Sequence, residues 1–185
     1  MLNVAKQKLR KESAQVRERV VLKLGDMRNF KLSENSPFVY IASSTFEHCT
    51  TKEDQKSCLT NAYHALKRKG ILAFDISQPK PDQPMDSWWI DRRALNQNEE
   101  VVRTIFSRRN QQSNIVSVNL FFEVYQRGEL KKRYYEYGEA LVSSKQDIET
   151  LLRKVGFKLN QVYGNFDKSA YSEKSERAIF AATKP

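Results

Sequence analysis

The 185-residue chain has only two cysteines, Cys49 and Cys58. Two thiols make no disulfide framework and no metal-binding spacing, and they suit a reducing compartment. No run of 18 apolar residues is present, so no segment reads as a membrane-spanning helix. The charged, amphipathic N-terminus lacks the apolar core of a secretory signal, and the cytoplasm is the default expectation. There is no internal repeat, no low-complexity tract, no Gly-rich phosphate loop, no metal cluster, and no nucleophile with an attendant base.

What remains is globular. Aromatic residues make up 11% and charged residues 29%, and the length fits one domain that can bury a sizeable core. The formal net charge is +10. Basic residues gather in the first helix (Lys6, Lys8, Arg10, Lys11, Arg17, Arg19) and in a later β-rich stretch (Arg103, Arg108, Arg109, Arg127, Lys131, Lys132, Arg133). Two readings stand: nucleic acid or an anionic substrate as partner, or a solvated surface with excess Lys and Arg. No RNA-binding signature accompanies the charge.

Apolar spacing predicts a helix from Leu2 to Arg19 and a short strand over Val20–Leu24, ended by Gly25-Asp26. "PFVYIASS" has no alternation and reads as a strand buried on both faces. Thr51 is a candidate N-cap, with Asp54 three residues on, for a helix over about 53–67; Gly70 suits its C′ position. "ILAFDIS" is a third buried-type strand. Helix and strand alternate with short loops, the mark of a parallel sheet with crossover helices. Pro79, Pro81 and Pro84 then force a loop or lid. After it, "VVRTIFSRR", "NIVSVNLFFEVYQ" and "LKKRYYEYGEALVS" alternate, with turn signals at Asn110-Gln111 and Arg127-Gly128, and predict an antiparallel meander. A helix over 145–155, capped by Ser144 and closed by Gly156, and two strands, "FKLNQVYGNF" and "AIFAAT", end the chain.

In open α/β sheets ligands bind beyond the carboxyl ends of the strands. Asp26 and Asp75 lie at such ends, as rim carboxylates or as turn formers. "SSTFEHC" on the same rim offers hydroxyls, an aromatic face and His48, which is a base, a substrate contact, or a surface residue. Glu47 beside it forms no dyad with it, because adjacent residues need not face each other. Trp88 and Trp89 either line an apolar pocket or anchor the lid, and His64 reads as a helix-face residue.

Six stretches in order, "VVLKLGDMRNF", "FEHCTTKED", "LKRKGIL", "LLRKVGF", "VYGNFD" and "ERAIFAATKP", together with the opening "MLNVAKQKL", resemble the class I S-adenosylmethionine-dependent methyltransferases. The likeness is to the small-molecule enzymes with an antiparallel insertion before the last helix, and it covers nearly the whole chain. It implies an α/β, Rossmann-like sheet of order 3-2-1-4-5-7-6. It also implies a Gly-rich loop after the first strand and an acidic residue ending the second. Neither motif is in this sequence, which begins at the helix that follows them. The expectation is therefore an N-terminally truncated sheet lacking its first two strands, with residues 1–78 and 144–185 as core and 79–143 as lid and insertion.

By the same resemblance S-adenosylmethionine is the cofactor. Asp26 would meet the adenine, Met27 would pack on its ring, Ala42 and Ser43 would lie beside the methionine portion, and Phe46 would face the cofactor. His48 and Asp75 are the candidate bases; Trp88, Trp89 and Arg103 belong to the substrate side. No metal is implied. The partners are a small-molecule methyl acceptor and a second copy or partner chain completing the open sheet. Two other functions stay open: a non-catalytic relative that binds a protein through that sheet edge, and a basic RNA-binding protein.

Overall fold

A computed structural model describes residues 1–78 and 85–185. The proline-rich loop or lid expected over 78–89 lies outside the described residues at 79–84, and its end is not a loop: residues 86–89 are strand, paired in register with residues 105–108. The elements run in order: α1 (Leu2–Arg10), α2 (Ala14–Arg19), β1 (Ser36–Ile41), a 3-10 turn (Thr45–His48), α3 (Lys52–Ala65) and β2 (Leu66–Ser77). A second sheet follows as β3 (Asp86–Asn96), β4 (Glu99–Arg109), β5 (Ile115–Gln126) and β6 (Glu129–Leu141). The chain closes with α4 (Lys145–Val155), β7 (Lys158–Tyr163) and β8 (Arg177–Thr183).

The first sheet has the order β1-β2-β8-β7. β1 and β2 are parallel, whereas β8 runs antiparallel to both β2 and β7. This is the 4-5-7-6 half of the expected order, with an α/β core and the antiparallel meander β3-β4-β5-β6 inserted ahead of α4. Val20–Leu24, expected as a strand, forms none. A strand persists through its ladder of hydrogen bonds, and no described segment pairs with these residues; Val21 and Leu24 stay 75% and 90% exposed. The single helix expected over 2–19 is two helices. Ser13 interrupts it, and its hydroxyl accepts the Val16 N–H as a new N-cap.

The core lies between the first sheet and helices α3 and α4. Phe46, Phe74 and Phe180 stack in series, with ring centroids 4.9 and 5.1 Å apart. Leu59, Leu72, Ile76, Ile148 and Leu152 close around them. Thr51 and Ser144 cap α3 and α4, accepting from the N–H groups of Asp54 and Asp147. Gly156 closes α4 at φ 108°. Gly70 does not follow that pattern: α3 ends at Ala65 and Gly70 lies in β2. There a Cβ would stand 2.8 Å from the Lys67 carbonyl and 3.1 Å from that of Pro37. Close approach of backbone requires this glycine, while the positive φ falls on Lys69. The α3 terminus is capped from afar, as Lys184 Nζ donates to the Tyr63 and Leu66 carbonyls at 2.9 and 2.7 Å.

Phe74→Ala should lower unfolding free energy by about 3–5 kcal/mol, because it opens a cavity between two rings. Tyr40→Ala, at a side chain 67% exposed on the β1 edge, should stay within about 0.5 kcal/mol of wild type. Urea denaturation of both variants checks the pair.

Candidate functional site

Where β1 and β2 end, the chain turns sharply. Ser43 and Ser44 follow each other at φ 59° and 54°, in the left-handed region that non-glycine residues seldom adopt. Such a residue costs roughly 1–2 kcal/mol, so the turn needs an external hold. Asp75 supplies it. Its Oδ2 accepts the Ser44 N–H at 3.1 Å, the Ser44 hydroxyl at 3.0 Å and Arg177 Nη1 at 2.9 Å. Asp75 is 3% exposed, and three donors on one oxygen make it a fastening of the rim more than a free base. Arg177 reaches it from the start of β8, with its guanidinium 4.7 Å over the Phe166 ring.

The next residues form the 3-10 turn Thr45–His48. Phe46 points inward and is completely buried against Phe74, so it presents no surface to a cofactor and is a core residue. Glu47 also turns inward. Its carboxylate accepts the Ser77 N–H at 2.6 Å and the Ser77 hydroxyl at 3.2 Å. Burial pushes the Glu47 carboxyl above its ordinary value, and nearby Asp75 adds to the push; the bonds from Ser77 oppose both. His48 faces outward and stays exposed. Its Nδ1 lies 3.0 Å from the Glu139 carbonyl of β6. A carbonyl only accepts, so Nδ1 carries the proton and Nε2 of the neutral ring is left as an acceptor. Ala42 and Ser43 are exposed beside it.

Asp26 lies away from these residues, in a turn without a strand before it. Arg28 donates to it through Nε and Nη2, the latter at 2.6 Å, and reaches Asp54 through Nη1 at 2.8 Å. The Arg28 side chain, then its backbone N–H, draws the Asp26 carboxyl down to about 2. Met27 packs half-buried on the core, and its carbonyl accepts from Asn61. A cleft of about 560 Å³ opens between the 28–31 loop and α3; Arg28, Phe30, Lys56, Thr60, Asn61 and His64 are among its walls.

The meander joins this rim at one end, through the bond between His48 and Glu139 and through Gln55 Nε2 donating to Ser143 Oγ at 2.9 Å. Trp88 and Trp89 are neighbours on β3 and so point to opposite faces. Trp88 meets Phe106, whereas Trp89 lies under Arg103 at 4.8 Å, with Arg103 held bidentate by Asp91. The structure thus brings His48, Ala42, Ser43 and Asp75 together, and holds Asp26 and Met27 in a second group. The two tryptophans cannot share one pocket wall. Sequence reasoning gave Ser77 and Arg177 no role, took Ser44 only as a rim hydroxyl and weighed Glu47 only against His48; their contacts with Asp75 or with each other span 30 to 102 positions. Only the rim position of "SSTFEH" and "DIS" hinted at them. Among the described residues no group of His, Cys, Asp or Glu could hold a metal ion, and no helix is long and apolar enough to cross a membrane.

Comparison with known proteins shows what the chain is similar to. The family model for the methyltransferase domain matches residues 1–74. The chain has the fold of the S-adenosylmethionine-dependent methyltransferases. It superposes on one from Clostridium acetobutylicum ATCC 824 with a TM-score of 0.80, at 18% identity over 98% of this chain and 70% of that one. The CcbJ methyltransferase from Streptomyces caelestis gives 0.80 at 13% identity, over 98% and 69%. Streptomyces venezuelae DesVI gives 0.73 at 17% identity, over 100% and 70%. Among curated proteins the chain is similar to YqeM of Bacillus subtilis (strain 168), which bears a methyltransferase name, at 26% identity over 146 residues. That match covers 79% of this chain and 58% of the relative's length.

Asp75→Asn should cost roughly 2–3 kcal/mol in denaturant melts, below the ~3–5 kcal/mol of a fully buried pair because Arg177 reaches water. Glu47 should leave a pH signature. Its folded value lies above its ordinary 4.5, so its share of stability is complete below pH 4.5 and is lost as pH rises through the folded value. Glu47→Gln should therefore shrink the stability difference between pH 4 and pH 7 in paired urea melts.

Proposed function

We propose that this chain carries the rim and roof of an S-adenosylmethionine-dependent methyltransferase acting on a small molecule by direct in-line transfer. The observation that supports it most is the strained Ser43–Ser44 turn clamped by Asp75 at the carboxyl end of two parallel strands, within the methyltransferase fold. The residues fit the cofactor in part. Ala42 and Ser43 offer exposed backbone for the methionine portion, and Asp26 with Met27 offers a carboxylate beside an apolar side chain for the adenine. Asp26 would have to exchange contacts with Arg28 to reach an amine. When bound, the cofactor supplies the sulfonium methyl group.

The chain's own part is positioning and proton handling. Placing reactants in line lowers a barrier by roughly 7–11 kcal/mol, so no nucleophilic triad is required. His48 is the base of this reading, because Nε2 is an open acceptor held in place through Nδ1 and Glu139. Asp75 acts through Ser44, keeping the turn beside His48 in its strained form. In this reading the meander, β3 to β6, roofs the acceptor, with Trp88 on one face and Trp89 and Arg103 on the other. Structural neighbours named for an amino pentose, a sugar nitrogen and a glycopeptide nitrogen support a neutral amine as acceptor. An amine nucleophile also suits a histidine base.

A second reading keeps the fold without the reaction. Among the described residues no strand pairs with the outer edge of β1, and Phe38 and Tyr40 stack on that strand at 5.8 Å, 50% and 67% exposed; this favours a partner protein completing the sheet. RNA binding has less support, since five basic side chains of the meander already pair with carboxylates on it.

Calorimetric titration with S-adenosylmethionine separates these readings. Dissociation near micromolar, about −8 kcal/mol, supports the enzyme, and Asp26→Ala should weaken it. A folded chain that binds none favours the partner reading. If turnover of an amino sugar is observed, His48→Asn should lower kcat by about 10²–10⁴-fold with KM little changed.

A further inference from the structure

Gln55 is a polar side chain in an apolar place. It shares the buried face of α3 with Cys58, Leu59 and Ala62, at helical spacing, and is 1% exposed. Its Nε2 donates to Oγ of Ser143, itself buried, at 2.9 Å, while its Oε1 meets no donor among the described residues. A buried amide oxygen without a donor costs stability, and an apolar residue of like size would avoid that cost. The packing of α3 therefore does not account for a glutamine here. What the residue gains is one directed contact with a residue 88 positions away.

The far partner gives that contact its meaning. Ser143 lies just past β6, and Val142 before it donates its N–H to the Asn114 carbonyl at 2.9 Å, so this end of the chain still belongs to the meander. Leu141, the last residue of β6, is buried. Shortly before it comes Glu139, whose carbonyl accepts from His48 Nδ1 at 3.0 Å. β6 is an edge strand, and an edge leaves backbone groups open to partners outside the sheet. Residues 48–55 thus meet residues 139–143 at two points, His48 with Glu139 and Gln55 with Ser143. On the first segment the spacing of the two points is set by the end of the 3-10 turn and by Thr51, whose hydroxyl starts α3. The His48 bond is exposed, and water competes for both of its groups; the Gln55 bond is closed to water. A hydrogen bond weakens steeply once its geometry slips. The buried bond holds the register on which the exposed one depends.

We propose that Gln55, through Ser143, is a positioning residue for His48: it keeps the Glu139 carbonyl at Nδ1 and so leaves Nε2 of the neutral ring free to accept a proton. The proposal rests on the reading of His48 as the base, but its test needs no turnover.

The chain has two histidines, so His64→Asn leaves His48 as its one imidazole, and nitrogen-15 NMR of labelled histidine reads the tautomer directly. In that background neutral His48 should be mainly Nδ1–H, the reverse of free histidine in water. Gln55→Met, similar in volume and without a donor, should lower the ratio of Nδ1–H to Nε2–H by about threefold to tenfold, the weight of one net hydrogen bond. Ser143→Ala should do the same, and Ser143→Thr, which keeps the hydroxyl, should keep the original ratio. Leu72→Val, a core truncation on β2 that leaves both bonds in place, should also keep it. Circular dichroism checks that each variant folds, and Ser143→Ala carries the test if Gln55→Met does not. A His48 that is mainly Nε2–H in the His64→Asn background overturns the proposal, as does a ratio unmoved by the folded Gln55 and Ser143 variants. So does an equal fall with Leu72→Val, because that marks general loosening. Titration with S-adenosylmethionine tests the methyltransferase reading separately, so the two can fail independently.

Discussion

A single carboxylate oxygen holds the rim of this molecule together. Asp75 lies at the end of β2, Ser44 just past β1, and Arg177 at the start of β8, and the three meet at one atom. Two serines in the left-handed region cannot persist on local preference. They persist because a buried acceptor, held in place by a guanidinium, rewards that conformation and no other. The 3-10 turn that follows is aimed by the same anchor: Phe46 into the core, Glu47 onto Ser77, His48 outward.

Beneath the rim, packing and polar contacts are coupled. Phe46 belongs both to the turn and to the aromatic series with Phe74 and Phe180, and Phe74 precedes Asp75 in β2. A shift of the β2–β8 register by one residue would expose the phenylalanines and bury Asp75 on the wrong face. The sheet register therefore places the core and the clamp in one step. Lys184 extends this logic to the far end of α3, where it supplies the cation that the final carbonyls lack.

The meander follows a different rule. Its strands are long and strictly alternating, yet neither face is a closed core, and it touches the rest of the chain mainly where β6 meets the 3-10 turn. Its basic residues, which suggest an anionic partner when counted along the sequence, are largely neutralised across strands by Asp86, Asp91, Glu100 and Glu123. Cross-strand pairing thus turns a cationic stretch into a nearly neutral, apolar sheet. One end of this sheet is bonded to His48, which ties the orientation of that ring to the sheet.

The sequence by itself determined the alternating α/β core, three of the meander's four strands and the caps at Thr51, Ser144 and Gly156, because these rest on periodicity and on signals a few residues apart, and its resemblance to the methyltransferases supplied the fold. It misread Val20–Leu24, where an apolar run finds no ladder, and the 2–19 helix, where Ser13 bonds its own following turn. The resemblance set Phe46 toward the cofactor, but the inward twist of the 3-10 turn, a matter of packing, buries it. The contacts of Asp75 with Ser44 and Arg177, of Glu47 with Ser77, and of Arg103 with Asp91 were decided only by the tertiary structure. Each joins residues on different elements, and which elements meet depends on the sheet's register, a property of the whole fold that no local pattern carries.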